Sequence, residues 1–326
     1  MNKYIAKIER VILRFINRIV YGGKSVPKGI HQMTSYELND FIYQGLSDDS
    51  PFMVARFGSI ELDAAMYNYL TSLPLWKRYV LYIQKKIKFI HYDKSLAQQF
   101  MNPFCNNAVF FPNNISLMDK YHNRLCKMDA GCCDCLCCSD WIREDLTKPF
   151  LKEDIKYAQL NHMEPYDYEL PWSRALEGKK VLVIHPCAET INKQYQNRKY
   201  IWKNQNVLPE FELLTIKAVQ TIAGETSEFS TWFDALHYME QQMDAIDYDV
   251  AIIGCGAYGF SLAAHAKRMG KKAIHLGGAT QILFGIKGKR WDELPAVNKF
   301  YNEYWVYPSV DETPKNKERV ENGCYW

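Results

Sequence analysis

The chain contains no uninterrupted apolar run of about 18 residues, the length that a membrane-spanning helix requires. Its N-terminus lacks the compact apolar stretch and small-residue cleavage site of a secretory signal, so a cytoplasmic location is expected. Charge of one sign is also missing: 40 Lys and Arg against 37 Asp and Glu leave a formal net charge of +3. That balance gives no general case for nucleic acid as a partner. Internal repeats and low-complexity linkers are absent too, which argues against a repeat array or a string of loose modules. What remains is 326 residues with 48% hydrophobic content, enough to bury one large α/β domain or two small ones.

Cysteine is plentiful but badly placed for a metal or disulfide framework. Of ten cysteines, five fall in CCDCLCC, Cys132 to Cys138. The two C-x-x-C spacings, Cys132/Cys135 and Cys135/Cys138, share Cys135, whereas a zinc site takes two separate pairs with a spacer between them. A buried strand that uses Cys as a small hydrophobe accounts for the pattern.

Residues 1–30 open with MNKYIAKIERVILRFINRIVYGG. Ile5, Ile8, Ile12, Phe15, Ile16 and Ile19 recur at helical spacing, and Lys3, Lys7, Arg10, Arg14 and Arg18 form a second stripe opposed only by Glu9. Two readings stay open for this basic amphipathic helix: it lies on an anionic membrane, or it docks by its apolar face onto the domain. From Pro51 onward, apolar runs alternate with helical patterns. PFMVARFG, NAVFFPNN, GCCDCLCCSDW, KKVLVIHP, DYDVAIIG and KKAIHLGG read as strands, FELLTIKAV as a strand or a short helix, and the segments between as helices. The alternation predicts β-α units and a doubly wound, mostly parallel Rossmann-like sheet. It is expected over residues 31–310, with 31–175 and 176–310 as its halves if it divides. Beyond Pro308 the sequence turns polar, so a loose tail is expected over 311–326.

In such sheets, ligands bind outside the carboxyl ends of the strands. Here those ends carry Arg56 and Gly58, then His185, then the turn Gly254-Cys255-Gly256-Ala257-Tyr258-Gly259, then His275, Gly277 and Gly278. If the strands are parallel, these groups share one edge. The G-x-G-x-x-G pattern suits a phosphate cradled by backbone amides at a helix N-terminus. A dinucleotide site also wants an acid at the end of the next strand, but HLGGAT has none, so a phosphate-handling turn fits better than a nicotinamide site. Downstream, GIKGKRW offers Lys287, Lys289 and Arg290 to a pyrophosphate, with Trp291 to stack on a base or sugar. In ARFGSIE, Ser59 is placed to cap the next helix. Glu61, in that helix's first turn, is placed to hold a divalent cation or to act as a base.

On ARFGSIE, on DYDVAIIGCGAYGFSLAAHAKRMGKKAIHLGG and on QILFGIKGKRW, the chain resembles the GT-D glycosyltransferases from about Pro51 to Trp291. VLVIHPCAETINKQY is similar to a branch found among surface-polysaccharide biosynthesis proteins. The resemblance implies a Rossmann-like enzyme that moves a sugar from a nucleotide-diphosphate donor to a glycan or polyprenol-linked acceptor. It would work on the inner face of the plasma membrane, with a divalent cation (Mn or Mg). It makes Glu61 donor- or metal-binding, with Arg56, Gly58 and Ser59 beside it on the donor. Glu61, His185 or Glu189 could take the acceptor's proton: Glu61 has the family resemblance, and His185 the better-matched pKa. The family's motif has Asp where this chain has Ser59, and a serine oxygen is a poorer cation ligand than a carboxylate. Ser59 therefore keeps open a non-catalytic nucleotide-sugar-binding protein, and the missing ribose acid counts against a nucleotide-dependent oxidoreductase.

Overall fold

A computed structural model describes residues 3–23, 31–139 and 145–326, with the backbone alone for residues 3–7. Eight strands form one sheet in the order β1-β4-β3-β2-β8-β7-β5-β6. They are β1 Gln32–Met33, β2 Phe52–Ala55, β3 Cys135–Cys138, β4 Lys156–Gln159, β5 Lys180–His185, β6 Glu212–Lys217, β7 Val250–Ile253 and β8 Lys272–Ile274. Every ladder between them is parallel. The main helices are α1 Lys3–Tyr21, α2 Ser35–Ser47, α3 Ser59–Ser72, α4 Leu75–Ile83, α5 Lys94–Asn107 and α6 Leu117–His122, then α7 Ala188–Gln196, α8 Trp232–Asp244, α9 Tyr258–Arg268 and α10 Ala279–Leu283.

A parallel sheet needs cover on both faces. The strands accordingly split by alternate residues between two cores. Met53, Ala55, Leu136, Leu182, Ile184, Ala251 and Ile253 pack under α3, α5, α6, α8 and α9. Phe52, Val54, Cys135, Cys137, Val181, Val183, Val250 and Ile252 pack on the other face under α2, α7 and α10. The cysteine run is thus strand β3. Cys135 and Cys137 serve one core and Cys138 the other, all three are buried, and burial pushes the Cys133 thiol well up. Among the described residues no cluster of His, Cys, Asp and Glu is arranged to hold a metal.

NAVFFPNN is not a strand. Val109 sits at φ +60° and Phe110 stacks on Phe104 with ring centroids 4.3 Å apart. Extended propensity yields here to aromatic packing, since burying a Phe is worth about 1.5–3 kcal/mol. The segment seals one side of the glycine turn: the Ala257 amide donates to the Ala108 carbonyl at 3.2 Å. The helix expected from TINKQYQNRKYIW breaks after Gln196, with a short turn of helix over Arg198–Ile201. The tail read as loose is packed instead, with Glu312, Val320, Cys324 and Trp326 all buried.

The N-terminal helix docks, but not by its apolar stripe. Leu13 and Asn17 are buried, and Asn17 donates to the Ile83 carbonyl at 2.6 Å. Ile8, Ile12, Phe15 and Ile19 remain exposed. No described helix is long and apolar enough to cross a membrane.

Candidate functional site

The central strands β2, β8, β7 and β5 lie side by side. Their carboxyl ends deliver, in that order, Arg56, His275, the Gly254 turn and His185. Between β7 and β5 the chain order reverses, which is where open α/β sheets place their ligands. A cleft of about 800 Å³, open to solvent, lies over this edge. Arg56, Glu61, His185, Gly254, Gly256, His275, Gly277 and Gly278 all line it.

The glycines permit close approaches, one after another around the cleft. A Cβ on Gly58 would stand 1.9 Å from Glu61 Oε2, so Gly58 lets the Glu61 carboxyl fold back over the start of α3. Gly277, at φ +65°, lies against the Arg56 guanidinium, where a Cβ would stand 2.8 Å from Nη1. A Cβ on Gly254 would meet the Gly277 carbonyl at 2.5 Å and the His185 ring at 2.9 Å. Glu61, Arg56, the Gly277 bend, the Gly254 bend and His185 are therefore consecutive neighbours around one hollow.

Burial dominates the electrostatics. It raises the Glu61 pKa, and the Arg56 charge opposes that rise. His185 is pushed down to about 3 by burial alone. His275 is also lowered to about 3, by burial first and then by Arg56. The Cys187 amide donates to His185 Nδ1 at 2.9 Å, which places the ring proton on Nε2. His185 is thus a neutral hydrogen-bond donor, and the expectation that it serves as the base is corrected. Glu189 is corrected too: it is exposed, absent from the cleft lining, and paired with Lys217 at 3.0 Å, which lowers its pKa.

Several polar groups around the cleft lack a protein partner. Among the described residues, Arg56 Nε and Gln220 Oε1, both on cleft-lining residues, have no hydrogen bond, and nor does Thr280 Oγ1 behind Gly254. Buried polar groups are almost always satisfied, so these atoms are available to a ligand or to water. The N-terminus of α7, a second natural anion site on this edge, is already filled. The Glu312 carboxylate accepts from the Glu189 amide at 2.8 Å and from the Thr190 amide and hydroxyl.

Other expected site residues stand elsewhere. Tyr258 is fully buried against Trp232, ring centroids 5.0 Å apart, and does not line the cleft. Gly259 packs beneath His275, where a Cβ would come within 2.2 Å of Nε2; it serves helix–strand approach rather than a phosphate. Ser59 is exposed and does not cap α3, whose N-cap is Gly58. Lys287 lies over the Tyr301 and Tyr307 rings, Lys289 donates to the Asn322 carbonyl, and Arg290 pairs with Glu321 and stacks on Tyr325. These cations are held by the tail and its surroundings and do not line the cleft. Trp291 packs behind Gly278. Residues the sequence reading missed include Asn107, Val109 and Gln220, and Tyr325 and Trp326 from the tail.

A divalent cation is poorly served by this donor set. Among the described residues Glu61 is the one carboxylate lining the cleft, it faces Arg56, and a hard cation takes about six or more oxygens.

Residues 167–283 match the family described as a GT-D fold-like domain. That stretch, about a third of the chain, is similar to a GT-D fold-like domain. The match runs from ahead of β5 to the end of α10, so it includes His185, the Gly254 turn and His275, while Arg56 and Glu61 lie before it. Among solved structures the chain is similar to a selenomethionine-substituted structure of domain of unknown function 1792 (DUF1792). Identity is 11%, coverage is 94% of this chain and 98% of that one, and the TM-score is 0.39. No curated protein matches the chain.

Proposed function

We propose that this protein transfers a sugar from a nucleotide-diphosphate donor to a hydroxyl of a glycan or lipid-linked acceptor, in surface-polysaccharide synthesis. The observation that carries the reading is the convergence of Arg56 and a carboxyl of raised pKa with the glycine bends of the stretch similar to a GT-D fold-like domain, all on one cleft. The diphosphate lies against Arg56 and the Gly254–Gly256 bend, where fixed donors stabilise the charge that develops as it leaves. Among the described residues nothing accepts from the Cys255, Gly256 or Gly278 amides. His185 Nε2–H adds a neutral donor. The acceptor oxygen bonds to the anomeric carbon, the electron pair of the breaking bond passes to the diphosphate, and the acceptor's proton passes to Glu61. A base works best when its pKa lies near the operating pH, and burial moves Glu61 in that direction. A second depression, lined by Asn102, Asn106 and Phe111, shares Asn107 with the cleft and gives the acceptor an approach.

A thermal-shift panel of nucleotide-sugars, with and without manganese, followed by transfer assays on the donors that bind, tests this. A binding donor raises Tm. Glu61→Gln is expected to keep that rise and to lose about 10²–10⁴-fold in turnover. Wild type that binds a donor without turning it over supports the non-catalytic binding reading, and a chain that no donor stabilises sinks both.

A further inference from the structure

The exposed apolar stripe of α1 has no use in the cleft chemistry. The helix docks by one edge only. Leu13 and Asn17 are buried there, and Glu9 turns inward to the Tyr79 hydroxyl and to His91 Nε2, at 3.3 Å from the latter. Positions 9, 13 and 17 are successive i, i+4 neighbours and so share one face. Ile8, Val11, Ile12, Phe15 and Ile19 fall on the opposite face at helical spacing and are 53–68% exposed. A soluble surface seldom gathers five large apolar side chains into one stripe without a partner.

The charge beside this stripe is of one sign. Arg10, Arg14 and Arg18 run along one flank of the helix and are all exposed. Glu9 is the only acid in α1, and its engagement with Tyr79 and His91 takes it out of this face. The adjoining α4 exposes Trp76 at 63%, and the Lys77 ammonium sits 5.5 Å from the Trp76 ring centre. Trp favours the headgroup level of a bilayer, with its ring amphipathic between apolar and wet layers.

We infer that α1 and α4 form a docking surface for an anionic lipid bilayer, with the Ile8–Ile12–Phe15–Ile19 stripe in the acyl boundary and Arg10, Arg14 and Arg18 on the lipid headgroups. The helix lies on the membrane and does not span it. A second copy of this chain fits the same surface less well. Two such helices would bring six arginines together with no exposed acid on either helix to pair with them. Anionic headgroups supply the missing countercharge. The inference is independent of the transfer reaction, because none of these residues lines the cleft.

Flotation of the full chain with vesicles tests it. Wild type is expected to partition onto vesicles of equal parts phosphatidylglycerol and phosphatidylcholine at least about tenfold better than onto pure phosphatidylcholine, an excess that added salt reduces. Ile12→Glu/Phe15→Glu should lose about tenfold or more of that binding. Both positions are solvent-facing, so the variant should keep its Tm and its circular dichroism. Arg10→Gln/Arg14→Gln/Arg18→Gln should lose the preference for the anionic vesicles. The inference fails if wild type stays off the anionic vesicles, or if the Ile12/Phe15 variant binds them as wild type does. It fails equally if light scattering shows a wild-type dimer that the Ile12/Phe15 variant dissociates.

Discussion

Imidazole sits at two of the four central strand ends, yet neither ring is set up to take a proton. His185 and His275 are held near pKa 3 by burial, whereas an unfolded His titrates near pKa 6.5. The folded state therefore binds fewer protons than the unfolded chain over that interval. The stability these neutral rings contribute is complete above about pH 6.5 and is lost as pH falls toward 3, at a combined slope of at most about 2.7 kcal/mol per pH unit. Ring resonances of both histidines should stay fixed in an NMR titration between about pH 8 and 5, while urea midpoints fall on the acid side. A ring that shifts near pH 6.5 would remove the donor role given to His185 Nε2–H. Glu61 has the opposite sign: its raised pKa means that its contribution is present at low pH and is lost as pH rises through the folded value. Glu61→Gln should accordingly be no less stable than wild type at neutral pH even as turnover collapses, so the same substitution separates stability from chemistry.

The strand–turn–helix units were the most readable part of the sequence, and the reason is periodicity. DYDVAIIG and KKVLVIHP are short apolar runs bounded by turns, and both became central strands. Because those strands are parallel, the residues that close them, Arg56, His185, Gly254 and His275, had to meet, and they line one cleft. Side-chain direction was not readable. Tyr258 and Gly259 belong to the same motif as Gly254, yet the first turn of α9 buries Tyr258 against Trp232 and sets Gly259 under the His275 ring. Nor did NAVFF announce its φ > 0 kink, because the aromatic contacts that impose it come from α5 and α8. The Gly259 contact carries a prediction. Gly259→Ala drives a methyl into the imidazole at the tightest helix–strand approach of the site. Overpacking of this kind costs about 1–3 kcal/mol. Differential scanning calorimetry should show the Tm falling, and donor binding should weaken with it because His275 must move. An unchanged Tm would mean that the glycine is held for some other reason.

At the scale of the molecule, the polar tail is a structural wall, and its sequence concealed this because the contacts that anchor it to the domain are distant in the chain. Glu312 caps α7 some 120 positions upstream, with its carboxylate on the Glu189 and Thr190 amides. Val320, Cys324 and Trp326 enter the core of one sheet face, and Tyr325 and Trp326 close the cleft. Glu321 holds Arg290, the cation that the sequence assigned to a pyrophosphate. Two variants separate these contributions. Glu321→Ala removes a half-exposed ion pair, and such pairs are worth about 0–1 kcal/mol, so its urea midpoint should barely move. Truncation after Pro308 strips the α7 cap, worth about 0.5–2 kcal/mol. It also removes buried side chains of which a single Trp costs about 3–5 kcal/mol to delete. Total stability is typically only about 5–15 kcal/mol, so the truncated chain should unfold at a much lower urea concentration, if it folds at all. It should also lose the donor-induced thermal shift along with the Tyr325–Trp326 wall. If Glu321→Ala abolishes donor binding while the truncated chain melts like wild type, then the tail acts through the charge on Arg290, and its packing is incidental.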